Sequence, residues 1–208
     1  MVVRHETHPG AGAGAAPPEF ARAVAAMHAA RLRPEMFCEE MSAPQRIAPF
    51  ASALSADVSL DGEEIGTGRI ILLHDPTGND AWDGTFRCVV YARADLDPET
   101  ITDPLLAEVG WTWLTEALDA HGARYGAPSG TVTRVATESF GGMADEGATA
   151  QIEIRASWTP LPGSEGHLDI GSHVEAWGEL LCTAAGLEPV PDGVTAIPSR
   201  RGQRGPGR

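Results

Sequence analysis

The stretch from about Thr149 to Trp158 alternates strictly. Ile152, Ile154, Ala156 and Trp158 fall on one side of an extended chain; Gln151, Glu153, Arg155 and Ser157 fall on the other. A helix would scatter these apolar side chains around its axis. The pattern therefore predicts a half-buried antiparallel strand, and a sheet with it. Four more strands are expected, at about Ala51 to Leu60, Thr67 to His74, Thr85 to Ala94 and Thr131 to Ser139. Asp61-Gly62 closes the first with a turn, and Ile70 to Leu73 give the second a continuous apolar centre. HDPTGNDAWDG reads as a turn-forming connection and GGMADEG as a mobile Gly-rich one.

Three helices separate these strands. The first is expected from Pro18 to Arg33, opened by Pro17-Pro18, striped by Phe20, Val24, Met27 and Leu32, and stopped by Pro34. The second runs from Pro104 to His121, with Asp103 as N-cap and Gly122 as its stop. Leu106, Val109 and Trp113 form one of its apolar stripes, and Trp111, Leu114 and Leu118 another, so cover is needed on more than one side. The last runs from His173 to Ala185, with Ser172 to Glu175 spaced as a capping box. Its core stripe is Ile170, Val174, Trp177, Leu181 and Ala184.

The order α-βββ-α-ββ-α predicts an α+β fold: a mostly antiparallel five-stranded sheet with helices packed on it in two layers. The segment from Met36 to Phe50, with prolines at 44 and 49, is expected to be an ordered loop that covers a sheet edge or meets a partner. Residues 1–16 are read as a disordered segment, 17–188 as a single domain and 189–208 as a flexible Pro/Gly/Arg-rich tail.

Charge narrows the function classes. All 15 basic residues are arginine, which excludes Schiff-base chemistry and a P-loop lysine. Four arginines lie in the last nine residues, so residues 1–199 hold 29 acids against 11 arginines. Such a body repels phosphate backbones and disfavours nucleic-acid binding, except through Arg200, Arg201 and Arg204 of the tail. No apolar run is long enough for a membrane span and no secretory h-region opens the chain, so a cytoplasmic protein is expected.

Long, unusual strings also carry a family resemblance: FCEEMSAPQRIAPFASALSADV, GNDAWDGTFRCVVYARA and DPLLAEVGWTWLTEAL, then VTRVATESFGG, HVEAWGELLCTAAGL and IPSRRGQRG. From Pro18 to Gly205 the chain resembles an actinobacterial family, the domain-of-unknown-function family numbered 3000. That resemblance implies no activity and supplies no catalytic residues. By element order alone the chain is also similar to the small dimeric chaperones of type III secretion.

Candidate chemistry is sparse. His74 beside Asp75 is a candidate acid–base pair, and Asp75, Asp80 and Asp83 are the candidate ligands of a hard cation, although the loop lacks the EF-hand pattern. The alternative for this loop is plain turn chemistry. Cys38 sits beside Glu39 and Glu40, whose charge raises a thiol pKa and makes a poor nucleophile. His167 and His173, with Asp169 and Glu175, lack metal-site spacing, and Ser139 in ESFGG is no nucleophile elbow. No metal and no cofactor is expected. Trp111 and Trp113 cannot share one helix face, so one can serve the core while the other meets a second surface, which is the first helix, the long loop or another protein chain; both are candidate partner contacts, with Phe37 and Met41. The favoured reading is a non-enzymatic protein-binding or adaptor module, chaperone-like, whose partner is another protein or a second copy. A small enzyme or metal-binding protein using the His74–Asp83 loop is the alternative.

Overall fold

A computed structural model describes residues 16–44, 46–163 and 166–188. The N-terminal segment before residue 16 and the arginine tail from 189 onward, with Arg200, Arg201 and Arg204, lie outside the described residues. The order is α1 (Pro18–Ala29), β1 (Met36–Met41), β2 (Phe50–Leu60), β3 (Glu63–Asn79), β4 (Gly84–Leu96), α2 (Leu106–Ala120), β5 (Tyr125–Glu138), β6 (Ala148–Pro160) and α3 (Ile170–Ala184). Short 3-10 turns at Thr100–Thr102 and Gly141–Glu146 precede α2 and join β5 to β6. Among the described residues no helix is long and apolar enough to cross a membrane.

The fold is α+β, as expected, but its sheet has six strands, not five, in the order β1-β2-β3-β4-β6-β5. Every neighbouring pair is antiparallel. The added strand comes from the proline-bounded segment. Pro34 and Pro44 flank a six-residue stretch without interrupting it, and Met36–Met41 pairs with β2 from Met36↔Val58 to Met41↔Ala53. Proline is tolerated beside an edge strand, which is where β1 lies. Asp61-Gly62 does make the β2–β3 turn, both with positive φ (53° and 90°).

Helix boundaries moved for physical reasons. α1 stops at Ala29 because the chain turns extended at Ala30 (ψ 141°). The extended run lets Arg31 N–H donate to Glu175 Oε1 at 2.9 Å and brings Leu32 against Gly178 of α3. Glu175 is thereby a tether for the end of α1, and it lies 3.7 Å from His121 at the end of α2. It is not the partner of a capping box. Asp169 caps α3 instead, accepting from Ser172 N–H, and Ser172 lies inside the first turn. In the β3–β4 connection, β3 continues past His74 to Asn79, which pairs with Gly84.

All three helices cover one face of the sheet. α3 lies centrally on β3 and β4, flanked by α1 and α2. This explains why its buried residues extend well beyond one stripe, from Ile170 through His173, Ala176 and Leu180 to Ala184. The predicted inward set of β6 is buried throughout, with Ile152, Ile154 and Trp158 fully so. α3 approaches β3 where the strand has no side chain: a Cβ on Gly68 would meet Tyr91 O at 2.9 Å and Leu181 Cδ2 at 3.0 Å. Trp158 Nε1 donates to His173 Nδ1 at 2.9 Å within this core. Burial, offset in part by Asp169, pulls the His173 pKa from 6.5 down to about 4, so the imidazole is neutral at physiological pH.

Two outcomes follow from this packing. Gly68→Val should destabilise the fold by roughly 3 kcal/mol in urea titration, because the strand and α3 cannot separate without losing the core. Gly142→Ala, with open space around it, should stay within about 0.5 kcal/mol of the parent. An equal effect at the two sites would mean that close approach is not what Gly68 provides. Second, the unfolded chain takes up a proton at His173 near pH 6.5 that the native state refuses until about pH 4. Stability is therefore complete above pH 6.5 and falls as pH drops towards 4, by about 3 kcal/mol from this residue. His173→Asn keeps an acceptor near Nδ1 without titrating, and should flatten that part of the pH profile; an unchanged slope would refute the assignment.

Candidate functional site

With the helices on one face, the other face of the sheet carries whatever the alternate residues supply. The strand registers align these into rows. One row runs Met41–Ala53–Ile71–Val89–Ser157–Ser129 from β1 to β5. The next runs Glu39–Ser55–Arg69–Tyr91–Arg155–Thr131. An apolar row thus lies beside a row with two arginines around a tyrosine. Ser42, Pro44 and Ile47, from the loop after β1, form the wall of a trough over both rows, with a volume of about 560 Å³. A second hollow of about 430 Å³ shares Pro44, Ile47, Ile71, Val89 and Ser157 with it, and reaches Leu73, Trp82 and Arg87.

Two guanidinium groups, Arg69 and Arg155, line the trough within an acidic chain. Arg69 and Arg155 each hold the guanidinium carbon 5.1 Å from the centre of the Tyr91 ring, one on each neighbouring strand. Such cation–π contacts contribute about 0.5–1 kcal/mol each at exposed sites, and they keep both cations over the sheet. Arg155 also pairs with Glu153 at 2.7 Å. Tyr91 donates its hydroxyl to Glu153 at 3.2 Å. Burial first, then the Glu153 charge, raise the Tyr91 pKa, so this hydroxyl stays a neutral donor. Among the described residues, no aspartate or glutamate lines either hollow.

Arg87 differs from its two neighbours. It is 7% exposed, and among the described residues no carboxylate pairs with it. It donates instead to Ala127 O and Thr159 Oγ1, each at 3.0 Å, to Ser129 Oγ at 3.1 Å, and to Ser157 Oγ at 2.8 Å. Burial lowers its pKa, but a guanidinium stays charged. Ala127 is the left-handed residue (φ 47°) of the bulge where β5 slips register between Gly126 and Ser129. One buried cation therefore fastens that bulge to β4 and β6.

The residues singled out in the sequence are distributed over several places. Phe37 and Met41 lie on this open face; Phe37 is 64% exposed and Met41 lines the trough. Trp111 and Trp113 lie in the helix layer, both half-buried against the core, with Trp111 over Gly130 of β5. The four do not form one surface. His74 is buried among Phe20, Phe50 and Phe86, with Nδ1 2.9 Å from Thr85 O, so it does not face solvent beside Asp75. Asp75 accepts from Thr77 N–H and Oγ–H, and Asn79 from Ala81 N–H, which is turn chemistry. Asp80 and Asp83 are exposed. Among the described residues no three His, Cys, Asp or Glu side chains converge where a metal ion could be held. Burial and then Glu39 raise the Cys38 thiol, while burial takes Cys88 and Cys182 up to about 12. Sequence reasoning missed Arg69, Arg87, Tyr91 and Ser129. The signal for Arg155 was its place in the alternating strand; the others needed the register.

A family model described as Protein of unknown function (DUF3000) matches residues 16–195. No curated protein and no solved structure matches the chain.

If Arg87 holds the bulge, Arg87→Met should cost about 2–3 kcal/mol, since several polar groups lose their donor. Hydrogen exchange should accelerate at residues 125–130 and remain unchanged in the centre of α3. Uniform acceleration, or none, would refute this local role.

Proposed function

The chain belongs to the family described as Protein of unknown function (DUF3000), and we propose that it is a non-enzymatic protein-binding module whose binding face is the helix-free side of the sheet. The observation that carries this reading is the trough itself. An apolar floor of Ile71 and Val89 adjoins Arg69, Tyr91 and Arg155, with no acid in the lining among the described residues. Its complement is a segment that offers a carboxylate to the arginines and an apolar side chain to the floor. Three neighbouring strand spacings carry the trough from β3 to β5, about 14 Å, which an extended segment of four or five residues spans. Met41 belongs to this face, so the reading keeps one of the partner contacts expected from the sequence.

The proposal is tested with labelled probe peptides of equal length, one alternating Glu and Leu, the other Lys and Leu. The acidic probe should bind, and Arg69→Glu with Arg155→Glu should weaken it at least roughly tenfold, since two attractive contacts become repulsive. The basic probe should not bind the parent protein. Equal binding of both probes, or an acidic probe indifferent to the double substitution, would refute the proposal.

A further inference from the structure

The two edges of the sheet are built differently. β1 is six residues long, carries Glu39 and Glu40, and lies between prolines. These features deter strand addition. β5 is fourteen residues long and is exposed over most of its length. From Thr131 to Glu138 it reads TVTRVATE, without proline and with two charges, Arg134 and Glu138. Thr, Val and their neighbours favour an extended pleated chain. One flank of β5 pairs with β6. Among the described residues no strand pairs with the other flank. Among the described residues the short edge is thus protected and the long one open.

We propose that β5 pairs antiparallel with β5 of a second copy about a two-fold axis at Ala136. In a symmetric antiparallel pair, each residue meets the one equally far beyond the axis. Centring on Ala136 is the only such register that sets Arg134 opposite Glu138 of the partner copy, and it does so twice. Both side chains belong to the helix-side set of β5, since Arg134 pairs with Ile152 and Glu138 with Ala148 on β6. The same register brings Val132 opposite Phe140 of the partner copy. Phe140 is 75% exposed and keeps extended backbone (φ −129°, ψ 162°). Val132 lies beneath Gly110 of α2. Pairing gives these apolar groups cover and each open edge a ladder of backbone hydrogen bonds. Charge and apolar exposure select the same register. The trough is no part of this argument, so self-association and partner binding stand or fall separately.

Sedimentation and light scattering of the full chain at micromolar concentration should give about twice the 21.8 kDa chain mass. Arg134→Glu and Glu138→Arg should each weaken dimerisation roughly tenfold, because like charges then face each other twice. The double charge-swap variant should restore it. Ala136→Cys, in a Cys38→Ser background, should cross-link to its counterpart on oxidation, since paired Cα atoms at 4.5–5.5 Å suit a disulfide. A monomer over the whole concentration range would overturn the proposal. So would a dimer that ignores both charge reversals and fails to cross-link at position 136.

Discussion

The packing of α3 onto β3 and β4 sets the terms for everything else in the molecule. Trp177 and Leu181 rest where Gly66 and Gly68 leave the strand bare, and the helix sits lower than side chains on β3 would permit. α1 and α2 then pack against the flanks of α3. Because one central helix organises the whole layer, three helices share one face. Among the described residues no helix is left for the other face, and a loop and polar side chains lie there instead.

That consequence accounts for the character of the open face. A fully polar surface would need no explanation. Here Ile71, Val89 and Met41 remain half-buried under a proline-bearing loop, and the row beside them sets Arg69 and Arg155 around Tyr91 in a chain with almost twice as many acids as bases. The acidic surface keeps non-specific anions at a distance, while the trough retains local attraction. On the proposed reading, a partner segment supplies apolar contact as well as charge, because charge alone meets long-range repulsion from the body.

The sequence revealed the fold wherever one period dominated. The strict alternation of β6, the stripe of α3 and the Asp61-Gly62 turn were each legible, because a half-buried element must repeat the period of its own backbone. β1 was hidden because six residues between prolines carry too few alternations to outweigh the breakers around them. The cap of α3 was misplaced because Ser172 and Asp169 both satisfy the cap chemistry, and only the entry of the chain from β6 selects the acid. The open face was the least legible part. Arg69 and Tyr91 come from consecutive strands and Arg155 from a third beyond α2 and β5, and the register that joins them depends on turns and bulges away from all three. His74 shows the converse: a polar motif that looked reactive in the sequence lies among three phenylalanines.

Arg87 joins the two halves of this picture. By holding the bulge at Ala127, it marks where β5 changes register against β6, its partner on both sides of the bulge. At the bulge and just after it, the strand is tied to β4 through this buried cation, which reaches Ala127 O and Ser129 Oγ. After it, Thr131 to Glu138 runs straight beside β6 with its other flank open. A bulge increases local twist and ends regular pairing on the bulged strand. An added strand can therefore follow β5 through its second segment but not past the bulge. The same contact positions Ser129 beside Ser157 at the end of the trough. The buried cation thus holds the point from which β5 pairs with β6 in one unbroken register, beside the β5 residues that line the trough.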